Sequence, residues 1–250
     1  MKEIIFPIEI IRKAALVSDF NGAMEKMNAL GKDNGHPVIV SFINAHGFNL
    51  LYSDQEFYRS MSASDILLRD GKGMEMLYKN LNIPLGENLC GTDFIPYFLA
   101  HNMSRSVALF GTDEIHLQKA VENLNSKGHK VAVSADGFRA FDLYTDLAIR
   151  YKPEIIVLGM GMPKQEKLSL HLKSKLSYNC LIINCGAIID HYGGKVKRAP
   201  LWIRKAGFEW LFRLITEPKR LFKRYVIGNF LFMKRVKNIK RNIRLGRSGN

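Results

Sequence analysis

The sequence predicts an α/β fold, in which a mostly parallel sheet is flanked by helices and followed by a basic helical appendage. Short β-branched runs alternate with longer amphipathic segments, which is the pattern of strands joined by helices. Runs such as VIVSFI and EIIVL are apolar nearly throughout, as expected of parallel strands covered on both faces. Positive charge is concentrated near the C-terminal end of the chain, and this observation predicts the appendage.

Predicted strands and helices alternate through most of the chain. In order, the predicted strands are Val38–Ile43, Asp65–Leu68, Ser106–Phe110, Lys130–Ser134, Glu154–Leu158 and Cys180–Asn184. The amphipathic segments predict helices at Asp19–Leu30, Asp54–Met61, Gly73–Leu81, Thr92–His101, Glu114–Ser126 and Lys164–Lys175. Asp19 and Thr92 are good N-cap residues, and Gly31 and Gly128 are good helix stops. Because the connections are short, we expect right-handed βαβ units.

The composition is that of a globular protein with an uneven charge distribution. Of the 250 residues, 47% are hydrophobic and 24% charged, which excludes a disordered or collagen-like chain. The formal charge of +14 arises after residue 196, where sixteen lysines and arginines are opposed only by Glu209 and Glu217. We therefore predict a neutral body at 1–196 and a basic appendage at 197–250. This asymmetry favours a polyanionic partner, either nucleic acid or an anionic membrane surface.

Three features predict where the protein works. Cys90, Cys180 and Cys185 have no metal-ligand spacing, and we interpret them as small buried thiols in a reducing compartment. The N-terminal residues lack the basic start, the apolar stretch and the cleavage site of a signal peptide. No apolar run approaches the ~20 residues that span a bilayer. We expect a cytoplasmic protein, and any contact with a membrane should be peripheral.

Glycines and polar residues follow the predicted strands. Ligands of parallel sheets bind beyond the carboxyl ends of the strands, so these positions are the candidate binding residues. Gly159 and Gly161, with Pro163 in a first helical turn, are the strongest candidates for contact with a diphosphate; a tight strand-to-helix turn is the alternative. The segment lacks the third glycine of a dinucleotide fingerprint, and the chain has no Walker-type GK[ST].

Asp70 is the candidate catalytic carboxylate. It stands at a strand end, where it can accept a proton from a bound hydroxyl, and the alternative is that it caps the following helix. His46 and His191 are further candidate bases, or simply polar loop residues. No cluster of His, Cys and Asp has metal-ligand spacing, and no Gly-x-Ser-x-Gly elbow is present. This argues against a hydrolase and against a tightly bound metal.

Four motifs, taken in order, resemble one known family. They are DGKG at 70–73, GMGMPKQE at 159–166, KRAPLW at 197–202, and GFEWLFRL at 207–214 followed by EPKRL at 217–221. Together, over about Val38 to Tyr225, they resemble the WecG/TagA/CpsF family of bacterial glycosyltransferases, which includes N-acetylmannosaminyltransferases. The resemblance implies a Rossmann-like body and a C-terminal appendage that helps to close the site and meets the membrane.

The resemblance also implies an activity. Family members transfer a sugar from a UDP-sugar to a lipid-diphosphate-linked sugar at the cytoplasmic membrane face, in the synthesis of cell-surface polysaccharide or teichoic acid. No cofactor and no metal are expected. The transferred sugar is N-acetylmannosamine, its uronic acid or glucose, and the oligomeric state stays open, a homo-oligomer included.

Individual residues match the family's functional positions. The aspartate proposed as general base falls on Asp70, the glutamine of PKQE on Gln165, and a strand-end asparagine on Asn44. The appendage arginines match Arg213 and Arg220, and a third becomes Lys223. A threonine common in the family is replaced by Phe42, with Ser41 beside it. The expected donor contacts are completed by Gly71, Gly111, Gly137, Phe138, Gly159, Gly161, Lys164, Gly186, Asp190 and Arg198.

This assignment satisfies the chemistry of a single displacement with inversion. Asp70 takes the proton of the acceptor hydroxyl, which attacks the anomeric carbon. Helix N-termini near Gly161, with cations from Arg213 and Arg220, stabilise the departing diphosphate.

The basic appendage predicts an amphipathic helix from Lys219 to Arg244. At about 100° per residue, one face gathers an apolar stripe of Leu221, Tyr225, Phe232, Val236, Ile239 and Ile243. Such a helix is suited to lying in a lipid headgroup layer, and the alternative is a helix packed on the protein's own body. A break near Gly228 would divide it into two helices.

Two other functions stay open at this stage. A nucleotide-dependent nucleic-acid-modifying enzyme would also use a basic arm. The apolar stripe would have no role in binding phosphates, however, and we do not expect nucleic acid as a partner. A non-catalytic nucleotide-binding protein would have no use for Asp70.

Overall fold

The body is a six-stranded parallel sheet, which confirms the predicted fold class. The computed structural model describes residues 5–14, 16–32, 35–205 and 207–244, so the predicted end of the appendage at 245–250 lies outside the described residues. The strands are β1 Val38–Ile43, β2 Ile66–Arg69, β3 Ser106–Gly111, β4 Lys130–Ala135, β5 Ile155–Gly159 and β6 Leu181–Asn184. They lie in the order β2-β1-β6-β5-β3-β4, and every pair is parallel.

Helices cover both faces of this sheet and form the appendage. Those of the body are α1 Ile5–Arg12, α2 Phe20–Leu30, α3 Ala45–Ser53, α4 Gln55–Ser62, α5 Lys72–Leu81, α6 Gly91–Ala100, α7 Glu114–Ser126, α8 Phe141–Tyr151, α9 Lys164–Lys175 and α10 Ile188–Tyr192. Those of the appendage are α11 Leu201–Lys205, α12 Glu209–Thr216, α13 Pro218–Phe222 and α14 Gly228–Arg244, with a π-helical turn at Lys223–Ile227.

The six predicted helices are confirmed, with small differences at their ends. Asp19 caps α2 by accepting a hydrogen bond from the Gly22 amide at 2.8 Å. The prediction that Thr92 caps its helix is wrong, because α6 already begins at Gly91, with Cys90 at the N-cap and no side-chain cap.

Strand β1 lies inside the sheet and divides the core into layers. Its side chains alternate, so that Val40 and Phe42 face a layer with Phe94 and Phe98 of α6, whereas Ile39 faces the other side. All six residues of β1 are buried, which is why its sequence reads as one apolar run. Strand β1 has β2, the next strand in the chain, on one side and β6, the last strand of the body, on the other. Because all strands are parallel, the loops that follow them lie at the same edge of the sheet, and the loops after β1, β2 and β6 are neighbours there.

The appendage returns to that edge and packs on the body. Helix α14 lies against α3 and α5, and Phe232, Val236 and Ile239 are buried in one apolar cluster with body residues. The Phe232 ring meets the Phe48 ring edge-on, with 5.4 Å between their centroids. The prediction that this stripe faces lipid is therefore wrong, and the alternative, a helix packed on the body, is confirmed. The side chain of Ile243 lies outside the described residues.

The appendage helix does not break at Gly228. A π-helical turn instead joins α13 to α14, and the Gly228 amide bonds to the Lys223 carbonyl five residues earlier. None of the described helices has the length and apolarity needed to cross a membrane.

Candidate active site

A cavity of about 690 Å³ lies where the carboxyl ends of the strands meet the appendage. Loops after β1, β2, β3, β4, β5 and β6 all reach it, and the appendage forms its opposite wall. This volume is typical of small-molecule sites in proteins.

Most of the predicted site residues come together in this cavity. Its lining includes Asn44, Asp70, Gly71, Gly137, Phe138, Gly159, Gly161, Gln165, Gly186, Asp190, Arg213 and Arg220. Four predicted residues do not line it, namely Gly111, Lys164, Arg198 and Lys223.

Asp70 and Asn44 stand side by side because their strands end level. Ile43 and Arg69 are register partners on β1 and β2, so the residues that follow them are neighbours. The Asp70 amide bonds to the Ile43 carbonyl at 2.9 Å, which fixes this geometry. Asp70 does not cap α5: Gly71 occupies the N-cap with φ 89°, and no side chain caps the helix. The carboxyl group of Asp70 is therefore available to the cavity.

The pKa of the Asp70 carboxyl is raised, and burial is the main cause. It raises the pKa of this carboxyl to about 6, with a smaller rise from the charge of Glu209. A hydrogen bond with the Asn44 side chain and the charges of Arg224 and Arg213 act in the opposite direction. A carboxylate with such a pKa is ionised at neutral pH and still able to take a proton.

The two candidate histidines are not equivalent. His46 lines the cavity, and burial followed by the charge of Arg224 lowers its pKa to about 4, so its ring is neutral at pH 7. His191 lies outside the cavity lining, and one ring nitrogen is 2.9 Å from the Val196 carbonyl oxygen. Asp70 is the stronger candidate base.

Gln165 joins the ends of β5 and β6. Its Oε1 accepts hydrogen bonds from the amides of Gly161 at 3.0 Å and Gly186 at 3.1 Å, while its Nε2 donates to Glu166 at 2.8 Å. The Gly161 amide is thus occupied, so a diphosphate there would have to compete with the glutamine. Burial raises the pKa of Glu166 to about 7, and its second oxygen, Oε2, is buried without a hydrogen-bond partner among the described residues.

The appendage supplies the positive charge of the cavity. Arg213, Arg220 and Arg224 all line it. Within the described chain, the buried Nε atoms of Arg213 and Arg224 have no hydrogen-bond partner. Burial and the charges of Arg213 and Arg220 lower the pKa of Arg224. A cluster of like charges with unused donors is what an anionic ligand requires.

Arg224 takes the place that the sequence predicted for Lys223. Lys223 is exposed and points away from the cavity lining, because it precedes Arg224 by one position in the π-helical turn. The neighbouring arginine was visible in the sequence, but only the course of the helix selects between the two.

Arg198 secures the start of the appendage. It forms a bidentate ion pair with Asp93 of α6, with distances of 2.6 and 2.9 Å, and Arg204 joins the same carboxylate at 2.8 Å. Both arginines therefore tie the segment before α12 to the body.

The cavity lining also includes a group of polar residues and one exposed aromatic ring. Thr112 donates to Asp190 at 2.5 Å, and Lys195 lies 3.6 Å from the same carboxylate. Phe138 is 76% exposed at the rim, so its ring is open to stack on a ligand. Lys164 reaches the same loop, donating to the Gly137 carbonyl at 2.8 Å.

Gly111 and Asn88 both help to set the course of the backbone around the cavity. A Cβ atom on Gly111 would lie 2.4 Å from the Gly159 carbonyl oxygen, so glycine is needed for the close approach of β3 and β5. Asn88 accepts a hydrogen bond from the Gly71 amide at 2.7 Å and lines the cavity. No local sequence signal points to Asn88, because its partner lies in another loop.

Phe42 makes one part of the cavity wall apolar. Its side chain is buried near Phe94, with ring centroids 6.5 Å apart. Ser41 cannot supply a hydroxyl there, since its Oγ lies on the other face of the sheet, 2.8 Å from the Ser64 Oγ.

Among the residues that the structure describes, no three His, Cys, Asp or Glu side chains cluster as metal ligands do.

A carboxylate and an arginine cluster in one cavity, at the carboxyl edge of a parallel sheet, suit an enzyme that acts on an anionic substrate. Residues 9–246 match the family described as "Glycosyl transferase WecG/TagA/CpsF family", and the chain belongs to this family of glycosyltransferases. It is 27% identical, over 73% of both chains, to the N-acetylglucosaminyldiphosphoundecaprenol N-acetyl-beta-D-mannosaminyltransferase of Bacillus subtilis (strain 168). The protein of the same name from Staphylococcus aureus (strain NCTC 8325 / PS 47) is 24% identical over 89% of this chain and 85% of its own.

Proposed function

We propose that this protein transfers an N-acetylmannosamine-type sugar from a UDP-sugar to a sugar carried on a polyprenyl diphosphate, with inversion at the anomeric carbon. The observation that carries the proposal is the arrangement of Asp70 opposite Arg213, Arg220 and Arg224 in one cavity. The names of the relatives from Bacillus subtilis and Staphylococcus aureus support the choice of sugar and acceptor. The product serves cell-surface polysaccharide or teichoic-acid synthesis.

Each part of the cavity has one role in this reaction. Asp70 accepts the proton of the acceptor hydroxyl as its oxygen bonds to the anomeric carbon. The bond from that carbon to the diphosphate breaks, and the three arginines neutralise the charge that develops on the departing UDP. Phe138 stacks on the uracil, while Thr112 and Asp190 hold the nucleoside. One displacement inverts the configuration.

The reaction takes place at the inner face of the cell membrane, where the lipid-linked acceptor is embedded. The appendage supports this location with exposed apolar side chains such as Trp202, Ile215 and Phe230, each more than 70% exposed. Exposed basic residues lie in the same segment, a combination that suits an anionic bilayer. These residues replace the predicted stripe as the surface for lipid.

The test is product formation with purified protein, a panel of UDP-sugars and a lipid-diphosphate-linked N-acetylglucosamine acceptor, analysed by mass spectrometry. We expect one sugar to be transferred and Asp70→Asn to lower turnover by at least ~100-fold, because proton acceptance is lost. UDP affinity should stay nearly unchanged, since the arginines remain. No transfer from any UDP-sugar, or binding of RNA in competition with UDP, would contradict the proposal.

A further inference from the structure

The appendage brings a carboxylate to the cavity as well as arginines. Glu209 is the first residue of α12 and lines the cavity together with Asp70. Its side chain makes no hydrogen bond or salt bridge with any residue in the described ranges, although its charge also acts on Arg198. The other acidic residue of the appendage, Glu217, forms a salt bridge of 2.5 Å with Arg220. An unpaired acid in a site built for anions calls for an explanation.

Two positive and one negative charge act on Asp70. Arg213 and Arg224 attract its carboxylate, whereas Glu209 repels it. Burial keeps His46 and Cys90 of the same cavity uncharged at pH 7, and Lys72 bonds to Glu75 at 2.9 Å. The remaining cations of the lining have carboxylate partners: Lys195 pairs with Asp113 and Asp190, Arg204 with Asp93, and Arg220 with Glu217.

The arginines create a conflict between two needs of the reaction. A diphosphate leaving group needs several cations close by, but those cations stabilise the ionised form of a nearby carboxylate and so weaken it as a base. A second carboxylate opposes this effect without removing any cation. Glu209 is the acid in the appendage placed to do so.

We propose that Glu209 is a positioning residue of the transfer reaction, which acts through Asp70 by repelling its charge and makes it a stronger base once the appendage is seated on the body. The proposal rests on the proposed function, because it assigns Asp70 as the base. It links closure of the cavity to activation of the base, since Glu209 lies on the same helix as Arg213, and Arg220 and Arg224 follow in the same appendage.

The test compares the pH dependence of kcat/KM in matched variants. The wild-type protein should lose activity as the pH falls through about 6, where Asp70 becomes protonated. In Glu209→Gln this midpoint should move to lower pH, and activity at high pH should fall about threefold because the base is weaker. Glu209→Asp keeps the charge and should keep the midpoint near the wild-type value.

Glu217→Gln is the matched control, because it removes the same charge from the same cavity wall. Its charge is not among those that act on Asp70, so its loss should leave the midpoint in place. A Glu209→Gln midpoint equal to that of the wild type would overturn the proposal, as would an equal displacement in Glu217→Gln.

A direct titration separates this proposal from the proposed function. The Asp70 carboxyl can be followed by NMR in protein labelled with carboxyl-13C aspartate, with Asp70→Asn to assign the signal. The midpoint should fall in Glu209→Gln whether or not a sugar is transferred. A lower NMR midpoint without any turnover would uphold the Glu209–Asp70 coupling and refute the transferase assignment, whereas an unchanged NMR midpoint would refute the coupling.

Discussion

Gln165 shows how much of the site depends on a single side-chain amide. It is buried, and its three hydrogen bonds connect the loops after β5 and β6 to the start of α9. Its oxygen must face two backbone donors and its nitrogen must face Glu166, so only a glutamine in this orientation satisfies all three. The resemblance to the family predicts a catalytic role for Gln165, whereas its contacts indicate that it supports the loops around the cavity.

Replacing this amide by a carboxylate should destabilise the protein in a pH-dependent way. Gln165→Glu puts two acids together in a buried place and removes the donor to Glu166. We expect a loss in the free energy of unfolding of about 1–3 kcal/mol at pH 8. The loss should be smaller at pH 5, because a proton held between the two carboxyls replaces the lost donor. Urea unfolding at the two pH values measures both.

Gln118→Glu is the control for this change. Gln118 donates to Glu114 at 2.7 Å in the same kind of pair, but on the exposed face of α7. Water screens the new repulsion, so we expect a change within about 0.5 kcal/mol. Equal losses in the two variants, or a loss in Gln165→Glu that does not depend on pH, would contradict the prediction.

Single residues were predictable from the sequence where their position along a strand determined their place. Asn44 and Asp70 follow strands that the apolar pattern had located, and both line the cavity. Glu209 and Arg224 were not predicted, because their relation to Asp70 depends on how a distant segment folds back. No spacing within the chain contains that information.

At the scale of elements, a polar clamp seats α14 on the body. Asn49 of α3 donates to the Gly228 carbonyl at 2.8 Å and accepts from Arg235 at 2.8 Å. The Arg235 guanidinium also stacks on the Tyr52 ring, 4.2 Å from its centroid. Since Asn49 is nearly buried, the contacts are shielded from water.

Removing the clamp should loosen the appendage without unfolding the sheet. Asn49→Ala removes the side-chain donor to the Gly228 carbonyl and one of the two hydrogen bonds that Arg235 makes with Asn49, which costs about 1.5–3 kcal/mol. We expect amide hydrogen exchange in α14 to become roughly 10- to 100-fold faster while the exchange of β1 and β6 stays unchanged. Asn238→Ala, an exposed change on α14, serves as the control. Equal exchange in the two variants would show that Asn49 does not hold the helix.

Most of the strands were predictable because they are apolar runs, whereas several helices, among them α3 and α8, were not predicted. Helix α3 buries four nearly consecutive residues and α8 buries only Tyr144, Thr145 and Ala148, so neither shows a clear amphipathic period. The stripe on α14 was predicted correctly as a stripe. The surface that covers the stripe was not predicted, because a helix that binds lipid and a helix that packs on protein have the same apolar pattern. The stripe packs on the body because the body presents apolar side chains there, among them Phe48 and Met74.

For the whole molecule, the neutral body and the basic appendage predict that it binds a membrane with the appendage toward the bilayer. We expect binding to anionic vesicles that weakens as salt is added. The double variant Trp202→Ser, Phe230→Ser should bind about tenfold more weakly, because each exposed ring contributes apolar area to the bilayer. Sedimentation with vesicles of phosphatidylglycerol measures this.

The control for the membrane prediction is a body residue of equal exposure. Ile115 of α7 is 68% exposed, and Ile115→Ser should leave vesicle binding unchanged. Binding that is independent of anionic lipid, or that responds equally to both sets of changes, would refute an orientation with the appendage toward the bilayer.

The π-helical turn at Lys223–Ile227 has a consequence for insertions and deletions in the gene. Upstream of it, Arg220 faces the cavity; downstream, Phe232 and Val236 face the body. Removing one residue from the turn would restore an ordinary α-helix and rotate one side by about 100° relative to the other. Arg220 could then no longer face the cavity while Phe232 and Val236 pack on the body. The spacing between these two groups of residues is therefore as much a part of the enzyme as their identity.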